Sequence, residues 1–370
     1  MEHDLLKTEG MAVGYRGVPM IENITLQVKK GEILTLIGPN GSGKSTILKS
    51  LIRQLNLLAG TVYLSGRDMK NMGEREVARS LSILMTERVH PELMTCGDVV
   101  ATGRYPYTGR LGILSQQDRA VVRESLALVH GEALFDTEFA RISDGQRQRV
   151  LLARAICQEP NVIVLDEPTS FLDIRFKIEL LSILKDLARR RQVAIVMSLH
   201  ELDLAQRVSD QVVCIHNGQV ERCGPPEEIF SGDYIQQLYG VTRGSYNGQF
   251  GCLELEAVPG PPQVFVIGGN GSGIPVYRRL QRQGIPFAAG ILMENDVDYE
   301  VARALAGQVI AERPYHPIRE ETYQRARQAL AACGQVICCL TEFGPLNAFN
   351  RLLSLDAPEK TVYLSGGAEM

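Results

Sequence analysis

The chain has 370 residues, about two domains at the ~100–200 residues each usually spans. Hydrophobic residues make up 45% and charged residues 22%, which excludes disordered and fibrous classes. Lys and Arg number 39 against 43 Asp and Glu, a net charge of −4, so no global basic footprint for nucleic acid exists. No apolar run approaches the ~20 residues of a membrane span. The opening residues MEHDLLKTEG lack the basic and apolar regions of a secretory signal, so a cytosolic chain is expected. The eight cysteines include no CxxC pair and no matched histidine spacing. Reduced, mostly buried thiols are therefore expected rather than a metal site.

In chain order, strand-like runs at Ile33–Gly38, Val162–Asp166, Ala194–Leu199 and Val212–Ile215 alternate with helical stretches. That alternation predicts an α/β core with a largely parallel sheet. Residues 95–158 change to a mostly helical pattern, with QQDRAVVRESLALV apolar at helical spacing, and read as an inserted helical subdomain. The stretch Val258-Pro259-Gly260-Pro261-Pro262 predicts a boundary, giving domains at 1–257 and 263–370. The second domain reads as strand 263–267, helix 274–283, strand 287–292, helix 299–306, strand 309–311, helix 321–332, strand 336–340, helix 346–353 and strand 361–364. Such regular alternation predicts a small doubly wound, Rossmann-like α/β domain.

The run Gly38-Pro39-Asn40-Gly41-Ser42-Gly43-Lys44-Ser45-Thr46 satisfies GxxxxGK[ST], between a strand-like and a helical run as that motif requires. Its glycines let backbone N–H groups wrap phosphates at a helix N-terminus without Cβ atoms in the way. Lys44 then pairs with the β- and γ-phosphates of ATP, and the Ser45 hydroxyl ligates Mg²⁺. The apolar run Val162–Leu165 ends in Asp166 and Glu167. Asp166 is expected to hold the Mg²⁺ shell and Glu167 to act as general base on a water. His200 follows the strand-like IVMSLHE, where its ring can reach the γ-phosphate and position that water.

The order of these motifs resembles the ATP-binding subunit of ABC transporters over about residues 5–240. Tyr15, upstream of the loop, matches the aromatic that stacks on adenine. Ile142-Ser143-Asp144-Gly145-Gln146-Arg147-Gln148-Arg149 matches the signature before a helix, Ser170-Phe171-Leu172-Asp173 the D-loop, and His200 the switch histidine. The resemblance implies an ATPase that pairs with a second copy of itself, so that Ser143, Gly145 and Gln146 of one copy meet the nucleotide held by the other. It further implies multi-span permease subunits, an indirect substrate-binding protein, no nucleic acid, and a peripheral place on the cytoplasmic face of the membrane.

Two positions depart from the family pattern. Asp144 replaces a signature glycine, and either points away from the phosphate or caps the helix that follows. At the Q-loop, Leu84-Met85-Thr86-Glu87-Arg88 offers Thr86 or Glu87 in place of glutamine. The segment Gly103-Arg104-Tyr105-Pro106 resembles a stretch in importer ATPases for iron-siderophores, haem and vitamin B12, although Pro106 would also fix an ordinary turn. The region 84–107 is expected to dock a cytoplasmic helix of the permease. The alternative is a soluble ABC-type ATPase acting on nucleic acid or ribosomes. About a hundred residues without sustained heptads lie between Thr46 and Ile142, too few for a chromosome-type coiled coil.

Residues 263–370 carry no secure family resemblance. Gly268-Gly269-Asn270-Gly271-Ser272-Gly273 between a strand and a helix suits an anion at converging N–H groups. Glu294 and Asp296 could hold a ribose hydroxyl, and Phe343-Gly344-Pro345-Leu346-Asn347 could close over the same crevice. A regulatory nucleotide sensor is one expectation; a docking or dimerising domain whose glycines only turn the chain is the other.

Overall fold

The structure is a computed structural model that describes residues 4–85, 93–109, 111–170, 172–248 and 251–364. Thr86, Glu87, Arg88 and Phe171 lie outside the described residues, as does the remainder of 89–92. The chain forms two compact units, Met1–Tyr239 and Gly240–Met370.

The first unit is built on a six-stranded sheet in the order Gln219–Gly224, Gln211–His216, Ile33–Ile37, Ala194–Ser198, Val162–Leu165, Leu81–Leu84. All its pairings are parallel except the hairpin of the first two strands. Ile33–Ile37, Val162–Leu165 and Ala194–Ser198 are buried at every residue, which is why they read as apolar runs rather than as alternating patterns. Because the three are parallel neighbours, the segments after their carboxyl ends emerge on one edge. That edge carries the GxxxxGK[ST] loop, Asp166–Glu167 and His200.

A second, antiparallel layer pairs Asp4–Tyr15 with Val18–Ile24, Gln27–Lys29 and Ala59–Leu64, the last of which also pairs Arg67–Asp68. Register shifts between Glu9 and Ala12 and on both sides of Val13 break its two-residue alternation. The helical insert holds Cys96–Ala101, Gln116–Leu128 and Asp144–Cys157. Each opens on a reciprocal capping box: Thr95 with Asp98, Ser115 with Asp118, and Ser143 with Gln146.

The units divide at Tyr239–Gly240 rather than at the Pro/Gly stretch near 260. The intervening hairpin, Ser245–Asn247 with Cys252–Glu254, is held to the second unit by an Arg278–Glu254 ion pair. The Asn247 side-chain amide also donates to Glu300 at 3.2 Å.

The second unit carries five parallel strands ordered Gln308–Glu312, Phe287–Met293, Val264–Ile267, Gln335–Cys338, Thr361–Tyr363. Two apolar cores cover its faces. Val264, Val266, Tyr277 and Phe287 belong to one core, and Phe265, Ile267, Tyr323 and Leu353 to the other, as alternation along the first strand requires. The expected doubly wound domain is present. Six of the eight free thiols are buried, at Cys96, Cys157, Cys214, Cys333, Cys338 and Cys339. Among the described residues no helix is long and apolar enough to cross a membrane.

Candidate ATP site

The phosphate loop leaves strand Ile33–Ile37 through Gly38 at φ 148°, where a Cβ would sit 2.2 Å from the Ile215 carbonyl oxygen. Only glycine fits there. Gly41, at φ 78°, has no atom within 4 Å of a Cβ position and leaves one side of the loop open. Helix Lys44–Leu51 then begins after Gly43 with no side-chain cap, so the N–H groups of its first turn stand at the positive end of the helix. Lys44 is 5% exposed, and its Nζ donates to the Gly38 and Pro39 carbonyls at 2.7 and 3.1 Å. Burial lowers its pKa, while the charges of Glu167 and Asp166 act in the opposite sense. Asn40 is exposed at the loop tip, and the buried Ser42 hydroxyl has no partner. An open glycine, a lysine folded back onto carbonyls and an orphaned hydroxyl fit a phosphate chain in this loop.

Asp166 and Glu167 leave the end of strand Val162–Leu165 beside it. Ser45 Oγ donates to Asp166 Oδ1 at 3.1 Å, and Ser198 Oγ donates to the same oxygen at 2.7 Å. The Ser198 hydroxyl also accepts the Glu167 N–H at 2.9 Å, fixing a residue whose φ is +47°, unusual for a side chain of this size. His200 Nε2 lies 2.5 Å from Glu167 Oε1, and Ser170 Oγ donates to Oε2 at 3.1 Å. Ser45 and Asp166 offer hard oxygen atoms, the donor chemistry Mg²⁺ prefers.

Tyr15 joins this group, being half exposed at the end of its strand, with Thr46 Oγ1 3.5 Å from its hydroxyl. Ser143, Gly145 and Gln146 do not close onto the loop of the same chain. Ser143 and Gln146 bond to each other in the capping box, and Gly145 faces the Phe176 ring. Asp144 pairs with Arg147 at 2.8 Å, so its charge is met within the first helical turn. The side-chain orientations of Thr86 and Glu87 belong to residues that are not described. Arg104 is a buried brace, pairing with Asp118 at 2.8 Å and Glu159 at 2.6 Å and donating to the Cys157 carbonyl.

Sequence reading passed over three contributors. Ser198, Tyr239, whose hydroxyl accepts the Gly38 N–H at 3.1 Å, and Glu201, which takes bonds from Thr169 and Lys177, all touch the site's framework. Ser198 alone left a signal, standing two residues before His200 in MSLHE. In the second unit the glycine loop does not present an anion cradle. Asp298 accepts from Gly269 N at 2.6 Å, Gly273 N at 2.8 Å and Ile274 N at 3.2 Å, and Asp296 accepts from Asn270 N at 2.7 Å.

A phosphate loop and a serine-bound aspartate, with a glutamate–histidine pair beside them and a capped helical insert, define a P-loop ATPase. Residues 21–170 match the ABC transporter family, and residues 287–369 match the MJ0874 family. The ABC transporter ATP-binding protein MJ0873 of Methanocaldococcus jannaschii, itself uncharacterized, is 41% identical over 78% of this chain and all of that protein. The cobalamin import ATP-binding protein BtuD of Halobacterium salinarum is 31% identical over 90% of this chain and 85% of that protein. The dimeric bacterial ABC transporter cassette MJ0796 is 25% identical, covering 60% of this chain and 98% of that one with a TM-score of 0.53. The chain belongs to the ATP-binding proteins of ABC transporters.

Proposed function

We propose that this chain powers an importer for an iron chelate or a cobalamin-type cargo, working as two copies on permease subunits at the cytoplasmic face of the membrane. The observation that carries the hydrolytic part is the Glu167–His200 pair, anchored through Ser198 to an aspartate that already touches Ser45. In this reading the loop from Gly38 to Thr46 holds the phosphates, Lys44 balances their charge, and Tyr15 stacks on the base. Ser45 and Asp166 would hold Mg²⁺, which neutralises charge on the β- and γ-phosphates when bound. Glu167 takes the proton of the attacking water, and His200 orients that water and the carboxylate.

The capping box closes Ser143 and Gln146 on their own helix, so in this reading their N-terminal amides face a γ-phosphate held by a second copy. The dimeric cassette among the structural relatives supports that pairing. The import direction and cargo class are supported by the cobalamin import relative and by the resemblance at Gly103–Pro106. A substrate-binding protein outside the membrane would then select the cargo.

Glu167→Gln in the full chain tests the chemistry. ATP binding is expected to persist while turnover falls at least roughly a hundredfold, the contribution of a positioned base, with ATP-dependent dimers in size-exclusion chromatography. Wild-type turnover would remove Glu167 from the role. For the cargo, uptake of labelled ferric chelate and of cobalamin is compared in cells with and without the gene; no deficit in either excludes both.

A further inference from the structure

The second unit holds a crevice of about 750 Å³ between its glycine loop and the segment 339–347. It lies beyond the carboxyl ends of the strands, where Val264–Ile267 has Phe287–Met293 on one side and Gln335–Cys338 on the other. In that order the chain winds away in opposite directions from the first strand, and the loops diverge to leave a binding crevice.

Its electrostatics are the reverse of a phosphate site. The N–H groups of Gly269, Asn270, Gly273 and Ile274 are all donated to Asp296 or Asp298. Asp298 is fully buried, and Asp296 stays partly exposed on the wall, so a phosphate entering here meets carboxylate rather than free amide. Asp296 and Glu342 are the charged groups among the described lining residues, which include no Lys, Arg or His. Concave walls of one sign concentrate ions of the other. The lining also includes the apolar side chains of Ile291, Met293, Leu340 and Phe343. Among the described residues no three His, Cys, Asp or Glu side chains cluster as a metal site, so the chemistry favours an organic cation over a metal ion.

We propose that this crevice binds a small molecule carrying a protonated amine on an apolar body, the ammonium held by Asp296 and Glu342 and the body against Met293, Leu340 and Phe343. A neutral diol brings no charge to this acidic wall, whereas an ammonium offsets one of its two negative charges and donates up to three hydrogen bonds. The proposal is independent of the ATPase reading.

Calorimetric titration of the full chain with phenethylamine and tryptamine tests it, each compared with its N-acetylated form and tryptamine also with indole-3-acetate. At least one free amine is expected to bind, its acetylated partner and the anion to bind at least tenfold more weakly. Glu342→Gln, at an exposed side chain, is expected to weaken the amine roughly tenfold, as loss of a charge-assisted contact does. Asp296→Asn is expected to do the same, with the Glu342 variant deciding the matter if the Asp296 variant misfolds. No binding of any amine at millimolar concentration overturns the proposal. Equal binding of acetylated and free amines, or an unchanged affinity in Glu342→Gln, overturns it as well.

Discussion

Ser198→Ala removes one hydroxyl that serves two neighbours at once. Its Oγ donates to Asp166 at 2.7 Å and accepts the Glu167 N–H at 2.9 Å, at a residue with no exposed surface. A hydrogen bond to a buried carboxylate contributes roughly 1.5–3 kcal/mol, and a buried amide left unpaired costs about 1–3 kcal/mol. Part of the second cost is relieved, because Glu167 can then leave its left-handed backbone conformation, which itself stores about 1–3 kcal/mol. A net loss near ~3 kcal/mol follows, and at ~2–4 °C per kcal/mol for a unit of this size the thermal midpoint drops by roughly 6–12 °C. Relaxation of that backbone carries the Glu167 carboxylate off its aim at His200, and a displacement of about an ångström costs roughly a hundredfold in turnover. The KM for ATP changes little, because Lys44 and the glycine loop are untouched. Scanning calorimetry and steady-state ATPase assays on the full chain measure both effects. A midpoint within about 2 °C of wild type together with unchanged kcat would refute the anchoring role.

Lys44→Ala is expected to abolish binding of a fluorescent ATP analogue at concentrations that saturate the wild type, because it removes the ammonium held against the loop's Gly38 and Pro39 carbonyls; retained binding counts against the charge assignment. Arg104→Leu leaves the Asp118 carboxylate and the Cys157 carbonyl without their buried partner, and a loss of about 3–5 kcal/mol is expected from the urea midpoint. Glu312 is 2% exposed and its pKa falls from 4.5 to about 2: burial raises it, but bonds from Arg319 and Thr322 and the Arg319 and Arg313 backbone amides outweigh that. A depressed carboxyl adds stability that is whole above pH 4.5 and is lost as pH falls toward about 2. The thermal midpoint of Glu312→Gln relative to wild type is therefore expected to close that gap between pH 4.5 and 2; a constant difference across the window would contradict it.

The second unit was legible almost element by element. Its strands and helices fall within a few residues of their expected places because its central strands Val264–Ile267 and Phe287–Met293 are apolar runs and its helices carry apolar faces. The antiparallel layer around Asp4–Tyr15 was not, since its bulges shift which residues face inward. The hairpin at 245–254 escaped for another reason: its pairing is three residues long on each strand, and contacts from Glu254 and Asn247 to the second unit, rather than its own pattern, give it a place. At the candidate ATP site, the loop and the Asp166–Glu167 pair could be picked out in the sequence because the proposed chemistry needs particular residue types at fixed spacing. Ser198 and Tyr239 did not, because a hydroxyl becomes meaningful only once folding sets it against a carboxylate or an amide. The glycine loop at 268–273 misled for the same reason. Its glycines were correctly read as turn-forming, but the partner of their amides, Asp298, stands 25 residues beyond Gly273.

Asp298 can be viewed as a ligand that the chain carries with it. Its carboxylate occupies the place that a bound anion would take, and because it is tethered, its effective concentration is at least millimolar before any gain from the fixed geometry. A diffusing phosphate competes with that tether at every encounter and is also repelled by Asp296, so ordinary cellular fluctuations in phosphate leave this loop unchanged. One chain thus contains two glycine loops of similar outline with opposite susceptibilities. The loop around Gly41 has room on its open side for a solute to approach, whereas the loop around Gly271 is self-saturated and serves as fixed scaffolding for whatever the neighbouring wall recognises.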